Sequence, residues 1–361
     1  MGGYEVEEQE MNPKAKRRMS PKAKRILLIV LSSVLALILV ALITGLVYME
    51  YLLNLMNRKP DNSIMSSEEA DQFMATDTET MDMTYTGTIE TFDEDTENNI
   101  KTEYVPLVGD DNIINIMLIG QDRLPGQGRT RSDTMILVSV NKKTKEITMT
   151  SFMRDMYVEI PDFDKNKMNA SYAFGGMNLL NKTLEINFGV HVDGNIEVDF
   201  DGFTKVVDLV GGIDVNLSAA EAAYLNKFGH AAEPGMNHLD GAAALMYARD
   251  RSSGGSDFGR TQRQRNVINL IFKKCKNMNL AQMQNLLTTV LPMVTTDMTN
   301  KQIISYLTDV FPLLSSTEIK TQRIPADGTF EYGYSNKGRS VLLVDFAANK
   351  EILKNVNGAK P

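Results

Sequence analysis

Residues 26–48 read ILLIVLSSVLALILVALITGLVY, 23 positions without one charged side chain. As a helix such a run is about 35 Å long, enough to cross a hydrocarbon core of about 30 Å. The chain is therefore expected to be held to a membrane by a single span. Lys14, Lys16, Arg17, Arg18, Lys22, Lys24 and Arg25 precede the run, whereas Glu50 and an acidic stretch follow it. The positive-inside rule then leaves residues 1–25 as a basic cytoplasmic tail and sends everything after residue 50 outside the cell. A cleaved signal peptide is disfavoured, because the apolar run is too long and no small-x-small cleavage site follows it.

The formal net charge of −8 over 361 residues conceals an asymmetry. Residues 50–112 hold sixteen acidic and three basic side chains, so the acidity belongs to this stretch and the rest of the exported chain is weakly basic. With no sustained apolar period, residues 49–112 are expected to be an acidic, extended linker, with a short helix at 66–74 as its one structured candidate. From residue 113 to 361 the composition is that of one globular domain, long enough to bury a sizeable core. The single cysteine, Cys275, excludes an internal disulfide, and its apolar neighbours make it a poor candidate nucleophile.

Short β-branched runs predict strands at 113–120, 134–140, 146–152, 195–200, 213–217 and near 319–324. Helical periodicity predicts helices at 177–188, 202–210, 240–248, 259–277, 280–290, 301–314 and 343–355. The alternation implies an α/β (α+β) domain, a central mixed β-sheet flanked by helices.

Several chemistries are disfavoured. His191, His230 and His238 have no common zinc spacing, and no His-Glu-x-x-His or cysteine pair occurs. There is no Gly-x-Ser-x-Gly elbow, and Gly126-Gln-Gly128 lacks the third glycine and the strand-to-helix context of a nucleotide loop. Carboxylates, cations and a bound metal are left. Asp122 follows the first expected strand, Arg131 and Asp133 precede the second, Arg154-Asp155 follow the third, and Lys167 comes soon after. Two carboxylates at neighbouring strand mouths suit magnesium, with manganese as the substitute, since such an ion completes its octahedron with water and phosphate oxygens.

Five arginines, Arg249, Arg251, Arg260, Arg263 and Arg265, fall within seventeen residues of this acidic chain. Arginine presents a permanently charged planar fork, so the cluster points to phosphate or pyrophosphate. Arg260, Gln264, Val267, Ile271 and Cys275 share one helical stripe, which turns Arg260 and Gln264 inward at the helix N-terminus, with Asp257 or Ser256 as the expected cap. Arg263 lies near that face, and Arg265 is expected on the opposite, wet side. Like charges held so close would repel unless a ligand neutralised them.

In co-linear order, Asn115-Ile-Met-Leu-Ile-Gly-Gln-Asp122, Arg131-Ser-Asp133, Arg154-Asp155, Lys167-Met-Asn169, Val198-Asp-Phe-Asp-Gly-Phe203, Gly211-Gly-Ile-Asp-Val215, Leu239-Asp-Gly241 and Tyr247-Ala-Arg249-Asp-Arg251 through Gln264 resemble the LytR-CpsA-Psr family. The likeness spans about residues 113–277. Gln121, Arg123, Met153 and Met168 depart from the family's usual pattern. The resemblance implies a membrane-tethered enzyme of a Gram-positive type of envelope that moves a glycan phosphate from a polyprenyl-pyrophosphate carrier to peptidoglycan. It also implies that Asp122 and Asp133 hold magnesium, that Arg154, Arg249 and Arg251 act with them, that Arg131, Lys167, Arg260 and Gln264 bind the pyrophosphate and head group, and that an apolar tunnel takes the lipid tail. A hydrolase of the lipid pyrophosphate and a non-catalytic binder of anionic wall polymer are the alternatives. A nucleic-acid partner is disfavoured, because the basic residues form a compact extracellular site rather than a stripe.

Overall fold

The computed structural model describes residues 21–75, 90–91, 107, 109–121, 128–314 and 317–358. Within these, the side chains of residues 21–36, 90–91, 311, 314 and 355 are not described. The chain divides into two compact units, Met1–Tyr51 and Leu52–Pro361. The first contains nearly all of helix α1 (Pro21–Leu53), which embraces the charge-free run. Among the described residues, no helix is long and apolar enough to cross a membrane, and the run's first eleven side chains, 26–36, lie outside that description.

The second unit is built on a six-stranded mixed sheet. Its strands are β1 (Ile113–Gln121), β2 (Ser132–Asn141), β3 (Glu146–Phe152), β6 (Gly194–Asp199), β9 (Val294–Thr296) and β10 (Ile319–Ile324). Two short strands, β4 (Tyr157–Val158) and β5 (Asn166–Lys167), pair between β3 and β6, and β7 (Ile213–Leu217) pairs with β8 (Gly235–Leu239). The sheet order is β9-β6-β1-β2-β3-β10, with β6–β1 and β3–β10 parallel and the other neighbours antiparallel. Both faces are covered, which is why β1 reads IINIMLIGQ, an almost unbroken apolar run instead of a clean alternation.

One face carries Met117, Ile119, Met135 and Leu137 and is buried under helices α3 (Met168–Phe188) and α10 (Phe346–Asn357), against Met177, Leu180, Leu184, Phe188 and Leu353. On the other face, near the start of β1, Ile114, Val140 and Ile147 pack against Tyr306, Val310 and Leu313 of α9 (Asn300–Leu314). Farther along that face lie α4 (Phe200–Leu209), α6 (Gly241–Arg249) and α7 (Ser256–Lys276). With β7, β8 and α5 (Ala219–Lys227) these helices form their own core around Val207, Val215, Leu225, Ala244 and Val267. That second core is closed on itself, so its helices cover the sheet without filling the space beneath them.

All six expected strands form, but 213–217 joins the small β7–β8 pair and not the central sheet. The last expected helix begins at Phe346 and not at 343, because β12 (Ser340–Val344) pairs with β11 (Phe330–Tyr334) and Asp345 caps α10. Helix α8 (Leu280–Val290) matches its expected span. Residues 278–361 therefore complete the fold, since they supply both outer strands of the sheet, β9 and β10.

The expected linker, 49–112, is not wholly detached. Leu52, Leu53 and Met56 are buried, and helix α2 (Ser67–Ala75) sinks Ala70 and Met74 into the main core. Arg129 ties the intervening chain down, donating from Nε to the Ala173 carbonyl at 3.0 Å and from Nη2 to the Ser63 carbonyl at 2.6 Å. Gly176 has φ +64° and breaks α3, and a side chain there would meet the Asp61 carbonyl at 2.3 Å.

Buried Asn115 joins the first strand to the C-terminal helix. Its Nδ2 donates to the His191 and Asn357 carbonyls at 2.9 Å each, and its Oδ1 accepts from Ser139 Oγ at 2.6 Å. Asn115→Ala strands these partners without water, and should cost about 2–4 kcal/mol in urea denaturation; a loss under about 0.5 kcal/mol would show that the network does not hold α10.

Candidate active site

Three strand ends and one helix start converge. Asp133 stands at the beginning of β2, Arg154 and Asp155 just beyond β3, Lys167 at the end of β5, and Asp257 and Arg260 on the first turns of α7. Arg154 is the hub. Its Nη1 donates to Asp133 Oδ1 at 2.8 Å and its Nε to Asp257 Oδ2 at 3.0 Å, with Asp155 Oδ2 at 3.5 Å. Lys167 Nζ meets Asp155 Oδ1 at 2.8 Å, Arg260 Nη2 meets Asp257 Oδ2 at 3.0 Å, and Arg251 Nε reaches Asp257 Oδ1 at 3.4 Å. Arg154, Asp155, Lys167, Asp257 and Arg260 are all buried.

The arginines are thus neutralised in part by the protein's own carboxylates, which corrects the expectation that only a ligand could do so. Four cations still face three carboxylates. Burial opposes ionisation of Asp257, yet Arg260, Arg154 and Arg251 overcome it and hold its carboxyl at about 2. Burial likewise works against Asp133, and the same three guanidiniums leave it below the ordinary carboxylate value. Asp155 goes the other way: burial, reinforced by Asp257, raises it despite Arg154 and Lys167. Two adjacent carboxyls are thereby driven apart, Asp257 downward and Asp155 upward. Asp155 is 2 % exposed and engaged by Lys167 and Arg154, so it positions those cations. Arg260 Nε is buried with no hydrogen-bond partner among the described residues, a donor left over for something the protein does not itself provide.

An outer ring surrounds this cluster. Arg249 is exposed at the end of α6, its guanidinium 4.5 Å from the Phe200 ring centroid, and Arg251 is 35 % exposed. Arg131 lies 5.0 Å from the Phe73 ring and points Nη2 at Met74 Sδ, both on α2. Gln264 and Arg249 border a cavity of about 200 Å³ in the space between the sheet and helices α4, α6 and α7. Leu118, Ile196, Val198, Phe203, Leu245 and Ile268 line it, and Thr134, next to Asp133, stands on its wall. Sequence alone could not distinguish these residues from ordinary core.

Asp133, Arg154, Lys167, Arg251 and Arg260 lie together, with Arg249 and Gln264 at the cavity, Arg131 packed against α2, and Asp122 outside the described residues. Two expectations fail. Arg265 is buried, 4 % exposed, where burial and nearby Arg323 pull its pKa down to about 10, so it is no surface charge. Neither Asp257 nor Ser256 caps α7: Gly255 is the N-cap and Asp257 turns into the ion cluster. Arg263 is absorbed by Glu221 at 3.1 Å and Asp250 at 3.3 Å, and so braces the α6–α7 turn. A side chain at Gly259 would meet the Gly254 carbonyl at 2.2 Å, which is why this turn closes so tightly.

The sequence also hid a buried polar network at the end of β1. Gln121 Oε1 accepts from the Thr130 amide at 3.1 Å, its Nε2 donates to Tyr172 Oη at 2.9 Å and Glu197 Oε1 at 2.5 Å, and Tyr172 Oη donates to Glu197 Oε2. Gln121 therefore ties the end of β1 to Thr130, just ahead of β2. Its departure from the family pattern was the one available signal.

Among the described residues no group of three His, Cys, Asp or Glu side chains could hold a metal by itself. Of the two expected metal ligands, Asp133 is described and Asp122 is not. Asp133 supplies hard oxygens, is a quarter exposed, and pairs with Arg154 through Oδ1; an ion that takes one or two carboxylates and finishes its shell with phosphate and water needs no larger cage.

Because the folded-state value of Asp257 is depressed, its contribution to stability is present above about pH 4 and lost as pH falls through about 2. Asp257→Asn should accordingly be less stable than the parent at neutral pH, with the gap in urea midpoints narrowing from about pH 4 towards 2. A gap independent of pH would contradict this electrostatic account.

A profile of the LytR_cpsA_psr family matches residues 79–357. The regulatory protein MsrR of Staphylococcus aureus (strain COL) is 30% identical over 252 residues, covering 69% of this chain and 75% of that protein. The polyisoprenyl-teichoic acid–peptidoglycan teichoic acid transferase TagU of Bacillus mycoides is 34% identical over 218 residues, covering 60% of this chain and 69% of its own. Among solved structures, TagT of B. subtilis superposes with a TM-score of 0.56 at 26% identity, covering 71% of this chain and 95% of that one. A structure of YwtF (TagT) with bound octaprenyl pyrophosphate lipid gives 0.54 at 26% identity over the same shares of the two chains. With its mixed sheet and strand-end charges in the order that the family pattern requires, the chain belongs to the LytR_cpsA_psr family.

Proposed function

We propose that the protein is a membrane-anchored phosphotransferase that moves a secondary wall glycan, such as a teichoic acid or capsule, from a polyprenyl-pyrophosphate carrier to peptidoglycan. One observation carries this reading. An apolar cavity is bordered by Arg249 and Thr134 and adjoins a cluster of cations, so the two halves of the site suit one amphiphile with a greasy tail and an anionic head. Support also comes from TagU, a teichoic acid transferase by name, and from the octaprenyl pyrophosphate bound to YwtF (TagT). The charge-free run within α1 would serve as the anchor, leaving the domain outside the cell.

In this mechanism the apolar lining holds the tail while Arg131, Arg249, Arg251, Lys167 and Arg260 grip the pyrophosphate. Arg154, fixed by Asp133 and Asp257, presents its charge without reorganising. Gln264, on the cavity wall, orients the head group. The acceptor hydroxyl oxygen bonds to the phosphorus that bears the glycan, the bridging P–O bond breaks, polyprenyl phosphate leaves with the electron pair, and the hydroxyl proton passes to solvent. Magnesium, held by Asp133 and Asp122, would neutralise charge on the leaving phosphate.

The test incubates the full chain with lipid-linked glycan, magnesium and peptidoglycan oligomers. Arg249→Ala and Arg251→Ala should each slow transfer by about a hundredfold while the domain stays folded. Full activity in both would refute the assigned phosphate site; lipid release without glycan attachment would identify a hydrolase, and binding without turnover a regulatory module. Ile268→Trp, which fills the apolar cavity, should abolish use of a long-chain donor and spare a short-chain one. Equal loss with both donors would mean that the tail lies elsewhere.

A further inference from the structure

A larger cavity, of about 620 Å³, lies on the α3 side of the sheet. Its walls come from α2, from the turn joining β4 to β5, from α3, and from Lys337 in the β11–β12 turn. Its chemistry rules out the lipid-linked pyrophosphate. Asp71, Glu159, Asp162 and Asp164 outnumber Lys182 and Lys337, which repels an anionic head group. So charged a rim does not suit a lipid tail either. Its floor is apolar, however, with half-buried Phe163 braced on Phe174 at a ring separation of 4.9 Å. An apolar floor ringed by carboxylates and amines matches a sugar ring, which offers C–H groups on its faces and hydroxyl or amide groups at its edge.

Two elements place this cavity beside the phosphate site. Asn166 lines it, and the next residue, Lys167, enters the ion cluster. On α2, Ala70 and Asp71 line it, while Phe73 and Met74, less than a turn farther on, hold Arg131. That wall is also built in. Lys337 pairs with Asp71 at 2.8 Å, Arg339 donates to the Met74 carbonyl at 2.7 Å, and α2 lies upstream of residue 79, where the family match begins.

We infer that this cavity is the acceptor subsite, binding a glycan strand of N-acetylated amino sugars next to the pyrophosphate. The inference rests on the transferase reading above. Its test uses the full chain in detergent, with Asp164→Ala and Lys182→Ala, both at the rim and outside the ion cluster. Binding of a peptide-free peptidoglycan glycan strand is followed by saturation-transfer NMR, and transfer kinetics are measured alongside. Each variant should weaken strand binding and raise the acceptor KM at least tenfold, with the donor KM within twofold and the melting temperature unchanged. Strand binding unchanged in both variants would overturn the inference, as would equal binding of a stem peptide that carries no sugar. If the parent chain binds the strand and the variants lose it, yet no transfer occurs, the subsite stands and the transferase reading falls.

Discussion

The contact between Arg154 and Asp257 connects the end of a central strand with the start of a long helix. A buried guanidinium requires carboxylate partners, and here those partners come from distant parts of the chain: Asp133 from the second strand and Asp257 from α7. Removing one partner would leave a charge stranded in a low-dielectric interior, a cost of several kcal/mol. The strand ends and the helix start are therefore locked together by the same groups that give the site its positive field. The hub bears on stability, so substitutions there need a folding control.

The layout of the domain follows from that lock. Helices α4 to α7 have a core of their own, and α7 is fixed at its N-terminal end by the ion cluster. They bridge the sheet instead of interdigitating with it, and the space left beneath them is apolar because the sheet residues below, Leu118, Ile196 and Val198, belong to strands buried on both faces. A cavity of this kind persists because its roof rests on a second core and so cannot collapse onto the floor.

Much of this is legible in the sequence. The central strands announce themselves because two-sided burial demands apolar runs, and charges placed immediately beyond such runs must lie at strand ends. The helical stripe correctly turns Arg260 inward. It fails for Arg265 because amphipathicity assumes one wet face, whereas α7 is covered on one side by the sheet edge near Arg323 and on the other by α6. Asp257 resembles a cap because local pattern cannot see that Arg154, 103 residues away, outcompetes the helix's own amides. Strands β4, β5 and β9 are too short to show a period, β8 reads GMNHL with no β-branched residue, and the docking of α2 depends on Met74 and Ala70 finding a distant core.

The two outermost strands of the sheet, β9 and β10, come from the last fifth of the sequence, and each covers a strand made more than ninety residues earlier. Until residues 294–324 are available, β6 and β3 present bare hydrogen-bonding edges. A chain that is made from its N-terminus therefore carries an incomplete sheet for most of its synthesis, with its most apolar strands already present. Its vulnerable interval is the time before those strands arrive, when edge-to-edge pairing between copies competes with its own final strands.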